Sequence, residues 1–384
     1  MLKRLPRPAT LLVTTLLPAS LALAACGSDD QELEGFDAVS VSGDVGESPE
    51  IDWKGTLAAG DVETKVVSEG DGDEIAEDDV VLLNFTIANG YTHKVNYTTY
   101  LDEDEHDYNV GSLVKVGAKT EPQSVADVLT KPLVDELEPG TKVGTRIALT
   151  IGSDKLLEDY LGNSTVQQAM ASMDIGNEDG LLIVADVTAL AGPAGAAQTA
   201  PAWAPKIVEK DGLPGSLDFT GAPAPSGDLM VASLIKGDGP VVKSGQKILA
   251  SYLGQIPAGK KPFDESYSTG RGLEAVVGGD AATVVKGWSE GLVGLPVGSR
   301  VLLQIPPKLG YGNKAQGEDI PANSTLYFIV DILDVADVEP APEPTQAASP
   351  SGSASGSPSG TPSGSASGTP SGSASGSPSA TPSE

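Results

Sequence analysis

Seven aromatic residues fall between positions 252 and 328 of this 384-residue chain: Tyr252, Phe263, Tyr267, Trp288, Tyr311, Tyr327 and Phe328. The whole chain has only 5 Phe, 3 Trp and 9 Tyr, so this one segment is unusually rich in rings. Rings gathered this way build either a core or an apolar pocket, and any one ring taken singly is more often core. Polar groups stand among them: Asp264 directly after Phe263, then Arg271, Gln316 and the Tyr252 and Tyr311 hydroxyls. Such a set can bind a neutral group and dry it. It is poorly suited to covalent chemistry. Gly287-Trp288-Ser289-Glu290-Gly291 matches a nucleophile-elbow pattern, but that arrangement needs a histidine after the serine. The only histidines, His93 and His106, lie far upstream. With two histidines and the single Cys26, the usual zinc ligand set cannot be assembled, and no metal or other cofactor is expected.

Five pieces must position these residues. Lys247–Gly254 (KILASYLG) alternates like a strand and ends at Tyr252 and Gly254. Phe263-Asp264-Glu265-Ser266 follows. Then come Val284-Val285-Lys286-Gly287-Trp288, leading into a short helix, and Val297–Pro307 (VGSRVLLQIPP), followed by Gly310-Tyr311-Gly312. Ile320-Pro321 and the strand Thr325–Leu333 (TLYFIVDIL) complete the set. β-branched and aromatic runs separated by Gly and Pro read as strands. The helix carries Gly287 and Gly291, so packing must hold it more than propensity does.

In this order and spacing the pieces resemble the FKBP-type peptidyl-prolyl cis-trans isomerases, over roughly Ser233–Val335. The resemblance implies an α+β fold, a twisted antiparallel half-barrel sheet wrapping one short α-helix. It also implies roles. Trp288 would floor the pocket, with Tyr252, Phe263, Val284, Val285 and Phe328 as apolar walls. Tyr311 would donate its hydroxyl to a ligand carbonyl, and the Ile320 N–H would meet the same oxygen. Asp264 would be the carboxylate beside the pocket, held by Arg271. Leu273 and Ala275 stand where phenylalanine is frequent, and Gln316 stands where some members have histidine. Proline-containing exported polypeptides would be substrates, and rapamycin-type macrolides possible inhibitors.

The implied chemistry follows from the amide. Resonance sets a rotation barrier of ~18–20 kcal/mol and makes the planar form more dipolar than the twisted one. Water therefore favours the planar ground states, and a dry aromatic cavity removes part of that preference. Cis and trans X–Pro differ by only about 0.5–1 kcal/mol, so a site that favours the twisted form over both suffices.

The rest of the chain is organised around this unit. Lys3, Arg4 and Arg7 precede an apolar run that ends Leu23-Ala24-Ala25-Cys26-Gly27. This pattern resembles a bacterial lipoprotein signal, with residues 1–25 removed and Cys26 lipidated as a membrane anchor on the extracytoplasmic face. Residues 26–54 read as an acidic linker. From Asp29 to Asp107 there are 23 Asp or Glu and three lysines, which excludes nucleic acid as a partner on electrostatic grounds. Residues 55–191 read as a degenerate first copy of the later unit. Val143–Ile151 (VGTRIALTI) echoes Val297–Ile305, and Leu181–Val187 echoes Leu326–Ile332. In that copy Phe85 takes the place of Tyr252, no Phe-Asp pair follows, and Val128–Leu133 lacks tryptophan. Residues 192–205 read as a Pro/Ala/Gly linker, 206–336 as the isomerase unit, and 337–384 as a disordered Ser/Gly/Pro tail. A binding module that holds clients with little turnover is the alternative reading, and a spacer is the third.

Overall fold

The computed structural model describes residues 31–100, 109–117, 125–160 and 162–338. The expected leader, Cys26 and nearly all of the tail lie outside them. Among the described residues no helix is long and apolar enough to cross a membrane.

Strands of the first half are β1 (Glu32–Leu33), β2 (Val39–Ser42), β3 (Glu50–Trp53), β4 (Thr56–Leu57), β5 (Glu63–Ser68), β6 (Val80–Asn89), β7 (Lys94–Thr98), β8 (Ser112–Lys115), β9 (Arg146–Gly152) and β10 (Gly180–Leu190). Its helices are α1 (Val125–Glu136), α2 (Ser153–Leu156) and α3 (Ser164–Ser172). The second half has β11 (Gly195–Ala197), β12 (Lys206–Lys210), β13 (Leu213–Asp218), β14 (Met230–Gly237), β15 (Gln246–Gln255), β16 (Asp264–Glu265), β17 (Leu273–Val277), α4 (Lys286–Leu292), β18 (Arg300–Ile305) and β19 (Leu326–Ala336).

The first large sheet runs β5-β9-β10-β6-β7, with β8 also on β6. The second runs β11-β14-β18-β19-β15-β16, with β17 also on β15. Apart from β11, the two orders correspond strand for strand. The central strands β10 and β19 are apolar at nearly every position because both of their faces are covered. Side chains alternate across a strand. Phe328, Val330 and Ile332 therefore face α4, while Tyr327 and Ile329 join a separate cluster on the opposite face. In the first sheet Leu181, Ile183 and Ala185 face the helices, while Leu182 and Val184 face away.

That outer face corrects two boundaries read from the sequence. Residues expected to form the acidic linker 26–54 instead build the β2–β3 hairpin. Val39, Val41, Ile51 and Trp53 pack on Leu182 and Val184, and the acids Glu50 and Asp52 alternate to the other side. The linker 192–205 is also folded. Its β11 pairs with β14, and Trp203 and Ala204 pack under the β12–β13 hairpin on the outer face of the second sheet. Composition misleads here because an acidic or Pro-rich stretch needs only a few inward apolar residues to dock.

Two buried ion pairs tie the sheets' outer faces. Arg146 and Asp186, opposite each other on β9 and β10, are both fully buried, with Nε–Oδ1 at 2.7 Å and Nη2–Oδ2 at 2.8 Å. Arg300 and Asp331 repeat the arrangement on β18 and β19, at 2.7 Å for both bonds. Arg146 also donates to the carbonyls of Ser42, Asp44 and Glu47, and the Gly46 N–H donates to Asp186. The guanidinium therefore fastens the β2–β3 turn to the sheet. Burial raises the Asp331 carboxyl above the ordinary range, against the opposing pull of Arg300.

Leu82, Val110, Leu249, Leu333 and Ala336 form one apolar cluster shared by the two halves. At its edge the Gly111 N–H donates to Asp334 Oδ2 at 2.8 Å. Burial raises the Asp334 carboxyl, and the bonds from Gly111 and Val335 only partly offset this. A folded-state pKa above the unfolded value means that stability falls as pH rises through that window. Asp334→Asn keeps an acceptor for Gly111 and removes the buried charge. Its stability relative to the unaltered chain should therefore improve from pH 4 to pH 7, as measured by urea unfolding. A difference that is flat with pH, or of the opposite slope, would contradict this account of the interface.

Candidate functional site

α4 lies against β18 because its two glycines allow it. A Cβ on Gly287 would collide with Ile305, and one on Gly291 would lie 2.7 Å from Leu303 Cδ2. This close approach sets Trp288, in the first turn, against the sheet face that carries Phe328, Val330 and Ile332, where it is 2% exposed. Tyr252 meets the indole edge-on, with centroids 5.7 Å apart and planes at 79°. Phe328 does the same at 5.3 Å and 83°, and Phe263 stands edge-on to Phe328 at 5.6 Å and 85°. Edge-to-face geometry at these separations is what ring quadrupoles favour. Gly254 makes room for it, since a Cβ there would lie 2.6 Å from both the Phe263 and the Phe328 ring.

Tyr252 is pinned at three points. Its N–H donates to Ser266 Oγ at 2.9 Å, its carbonyl accepts from the Ser266 N–H at 2.9 Å, and its hydroxyl donates to Asp264 Oδ2 at 2.6 Å. Burial raises the Tyr252 hydroxyl well above the phenol range, and the Asp264 bond raises it further. The hydroxyl thus stays protonated and keeps donating. Ser266 was not singled out from the sequence, although its place in Phe-Asp-x-Ser held the signal.

The remaining residues fall around this centre. Val284, Val285, Leu273 and Phe263 are half-buried against the same cluster, and Ala275 is buried beneath it. Val285 is also the residue that caps α4. Tyr311 stands at the rim, 38% exposed, on the turn after Pro307–Leu309. Ile320 is 7% exposed and part of the core. Its N–H reaches the Gln316 carbonyl at 3.3 Å, and the Gln316 N–H reaches the Ile320 carbonyl at 2.9 Å. The Gln316 side chain is exposed.

Two expectations change. Arg271 does not hold Asp264. It pairs with Asp127 of α1 at 3.4 Å, and Asp264 is held by Tyr252 instead. Tyr267 and Tyr327, counted among the seven clustered aromatics, lie on the outer face with Leu253, Leu302 and Ile329, Tyr327 by strand alternation on β19 and Tyr267 from the turn that follows β16. The indole is 2% exposed, whereas Tyr311 is 38% exposed.

Among the described residues of the first half, the matching ring positions are filled. Phe85 is fully buried and stacks on Tyr97 at 5.2 Å and 20°, and Leu133 fills the core from α1. An opening of about 250 Å³ between α1 and the end of β9 is lined by Pro132, Ile151, Leu156 and Tyr160 among charged residues.

A seven-stranded sheet with one short helix packed against it through a cluster of interlocked rings defines the class of fold. The sequence pattern of the family described as FKBP-type peptidyl-prolyl cis-trans isomerase matches residues 239–333. The FK506-binding protein 1A of Neurospora crassa is 42% identical over 97 residues, covering 25% of this chain and 78% of that protein. The FK506-binding protein of Streptomyces anulatus is 37% identical over 120 residues, covering 31% of this chain and 94% of that one. Among solved structures, FkpA from Escherichia coli is similar at 37% identity, covering 29% of this chain and 48% of that chain, with a TM-score of 0.25. The chain belongs to the FKBP-type peptidyl-prolyl cis-trans isomerases, through the second of its two large sheets.

Proposed function

We propose that the chain isomerises X–Pro bonds in exported polypeptides at the outer face of the cell membrane, where a lipid on Cys26 holds it. The observation that carries the catalytic part is the locked ring set, Tyr252, Trp288, Phe328 and Phe263, clamped by the 2.6 Å Tyr252–Asp264 bond. A prolyl ring seated among Tyr252, Phe263, Val284, Val285, Leu273 and Phe328 leaves water behind, and the planar amide loses its solvent advantage. Tyr311 donates to the carbonyl preceding proline. The Ile320 N–H, now bonded to the Gln316 carbonyl at 3.3 Å, would exchange that bond for the same oxygen. Asp264 fixes the Tyr252 wall, and Gln316 borders the entrance.

The first sheet is in this reading a diverged copy of the same fold with the matching ring positions filled. Its support is the matching strand order and the repeated cross-strand Arg–Asp pair. The hairpins β2–β3 and β12–β13 extend the repeat, since each covers the outer face of its sheet. Export supports the role: uncatalysed X–Pro isomerisation takes tens to hundreds of seconds, long enough to limit folding outside the cell. The alternative, a module that holds clients with little turnover, rests on Leu273 and Ala275, which give a smaller wall than phenylalanine would. Rapamycin-type macrolides would enter the same cleft.

The test uses the full chain in a proline-isomerisation assay and an aggregation-suppression assay, each with and without such a macrolide. Turnover blocked by macrolide is expected. Aggregation suppression without turnover would replace the enzyme with the holding module. Cys26→Ser should release the chain from membranes in cell fractionation, and a variant still bound there would refute the anchor.

A further inference from the structure

Three consecutive residues just before β17 of the second half rest on the first half. A Cβ on Gly270 (φ +67°) would lie 2.8 Å from Val80 Cγ2 and 3.5 Å from Lys115 Cβ. Arg271 pairs with Asp127 at 3.4 Å. A Cβ on Gly272 would lie 3.1 Å from Leu113 Cδ1. Thus β6, β8 and α1 of the first half each touch the segment 270–272. This segment ends the loop that begins at Asp264. The loop is internally stiff: Ser268 donates to Glu265 through both N–H and Oγ, Thr269 Oγ1 donates to the Ser266 carbonyl, and Ser266 grips the Tyr252 backbone. A rigid loop held at its far end transmits that position to its near end, which is Asp264 and Tyr252. The partly buried Gly111–Asp334 bond and the shared apolar cluster hold the first half against this segment.

We propose that the first half is a positioning element for the isomerase site, with Asp127 and Arg271 as its positioning residues, acting through the 265–272 loop on the Tyr252–Asp264 pair. The inference rests on the isomerase reading. It deepens that reading by giving the first half a role other than spacing. The geometry depends on charge and contact across the interface and needs no substrate contact by Arg271.

The experiment compares D127R, R271D and the exchanged pair D127R/R271D in the full chain. Readouts are kcat and KM for a proline peptide, thermal midpoint, and amide hydrogen exchange of residues 252 and 264–272. Each single variant should lower kcat/KM by roughly 3–10-fold, mainly through kcat, since small displacements of a site cost rate. Each should also raise loop exchange severalfold, and the exchanged pair should restore both. R271D lies outside α1 and so separates the effect from any change at that helix's first turn. Loss of activity in R271D without rescue by the pair would mean Arg271 acts on substrate directly and would overturn the proposal. Unchanged kcat/KM in both single variants would also overturn it, as would loop exchange that stays fixed. An unaltered chain with no turnover would instead sink the isomerase reading itself, and the proposal with it.

Discussion

Trp288→Ala in the full chain should reduce kcat/KM for a proline peptide by at least about 100-fold, equivalent to roughly 2.7 kcal/mol of transition-state stabilisation. The indole is 2% exposed and carries two edge-on neighbours, Tyr252 and Phe328. Removing it leaves a void under both walls, and each ring pair is worth about 0.5–1.5 kcal/mol beyond the area it buries. The rings then lose their fixed separation, water enters the cleft, and the planar amide keeps its solvation. Stability should fall as well, by about 3–5 kcal/mol, as for other large-to-small core changes. Activity and folding must therefore be read together, with near-ultraviolet circular dichroism reporting whether the second sheet is intact. Trp288→Phe preserves an apolar floor of smaller area and should keep more activity than Trp288→Ala. A folded Trp288→Ala protein within threefold of the unaltered chain would remove Trp288 from the site.

Arg146→Met should destabilise the first half by about 3–5 kcal/mol, the cost of leaving a buried charge without its partner. Asp186 is fully buried opposite Arg146, and the same guanidinium holds the Ser42, Asp44 and Glu47 carbonyls of the β2–β3 turn. The variant therefore strands a carboxylate and three acceptors at once. Arg300→Met should be milder, because Arg300 is 12% exposed and water can reach it. Adding Asp186→Leu to Arg146→Met should recover part of the loss, because the charge goes but the three carbonyls stay unpaired. Urea unfolding of the full chain measures this, with the first transition shifting to lower urea. A loss below about 1 kcal/mol would show that the buried pair does not tie the hairpin down.

Residues close in sequence were read more accurately than partners far apart. The Phe263-Asp264 pair, the Val-Val-x-Gly-Trp turn and the Gly-Tyr-Gly turn each occupy a few consecutive positions whose side-chain directions follow from strand or helix period. Their convergence on one sheet face needed only the order of the strands. Arg271 shows the limit. From the sequence it was paired with Asp264, seven residues away, yet its carboxylate is Asp127, 144 residues earlier. The 26–54 stretch shows another: its acids dominate the composition, and the four inward residues that dock it are visible only as a weak alternation. Gly287 was legible as a helix breaker but not as the reason α4 can approach Ile305.

By itself the sequence determined that residues 239–333 follow the strand and turn pattern of the family, because alternation and local turns are written in neighbouring residues. Only the tertiary structure decided that the indole is buried, that Arg271 belongs to an interface, and that both hairpins cover the sheets' outer faces. Those outcomes depend on which distant surfaces are complementary in shape and charge, and that complementarity has no period along the chain.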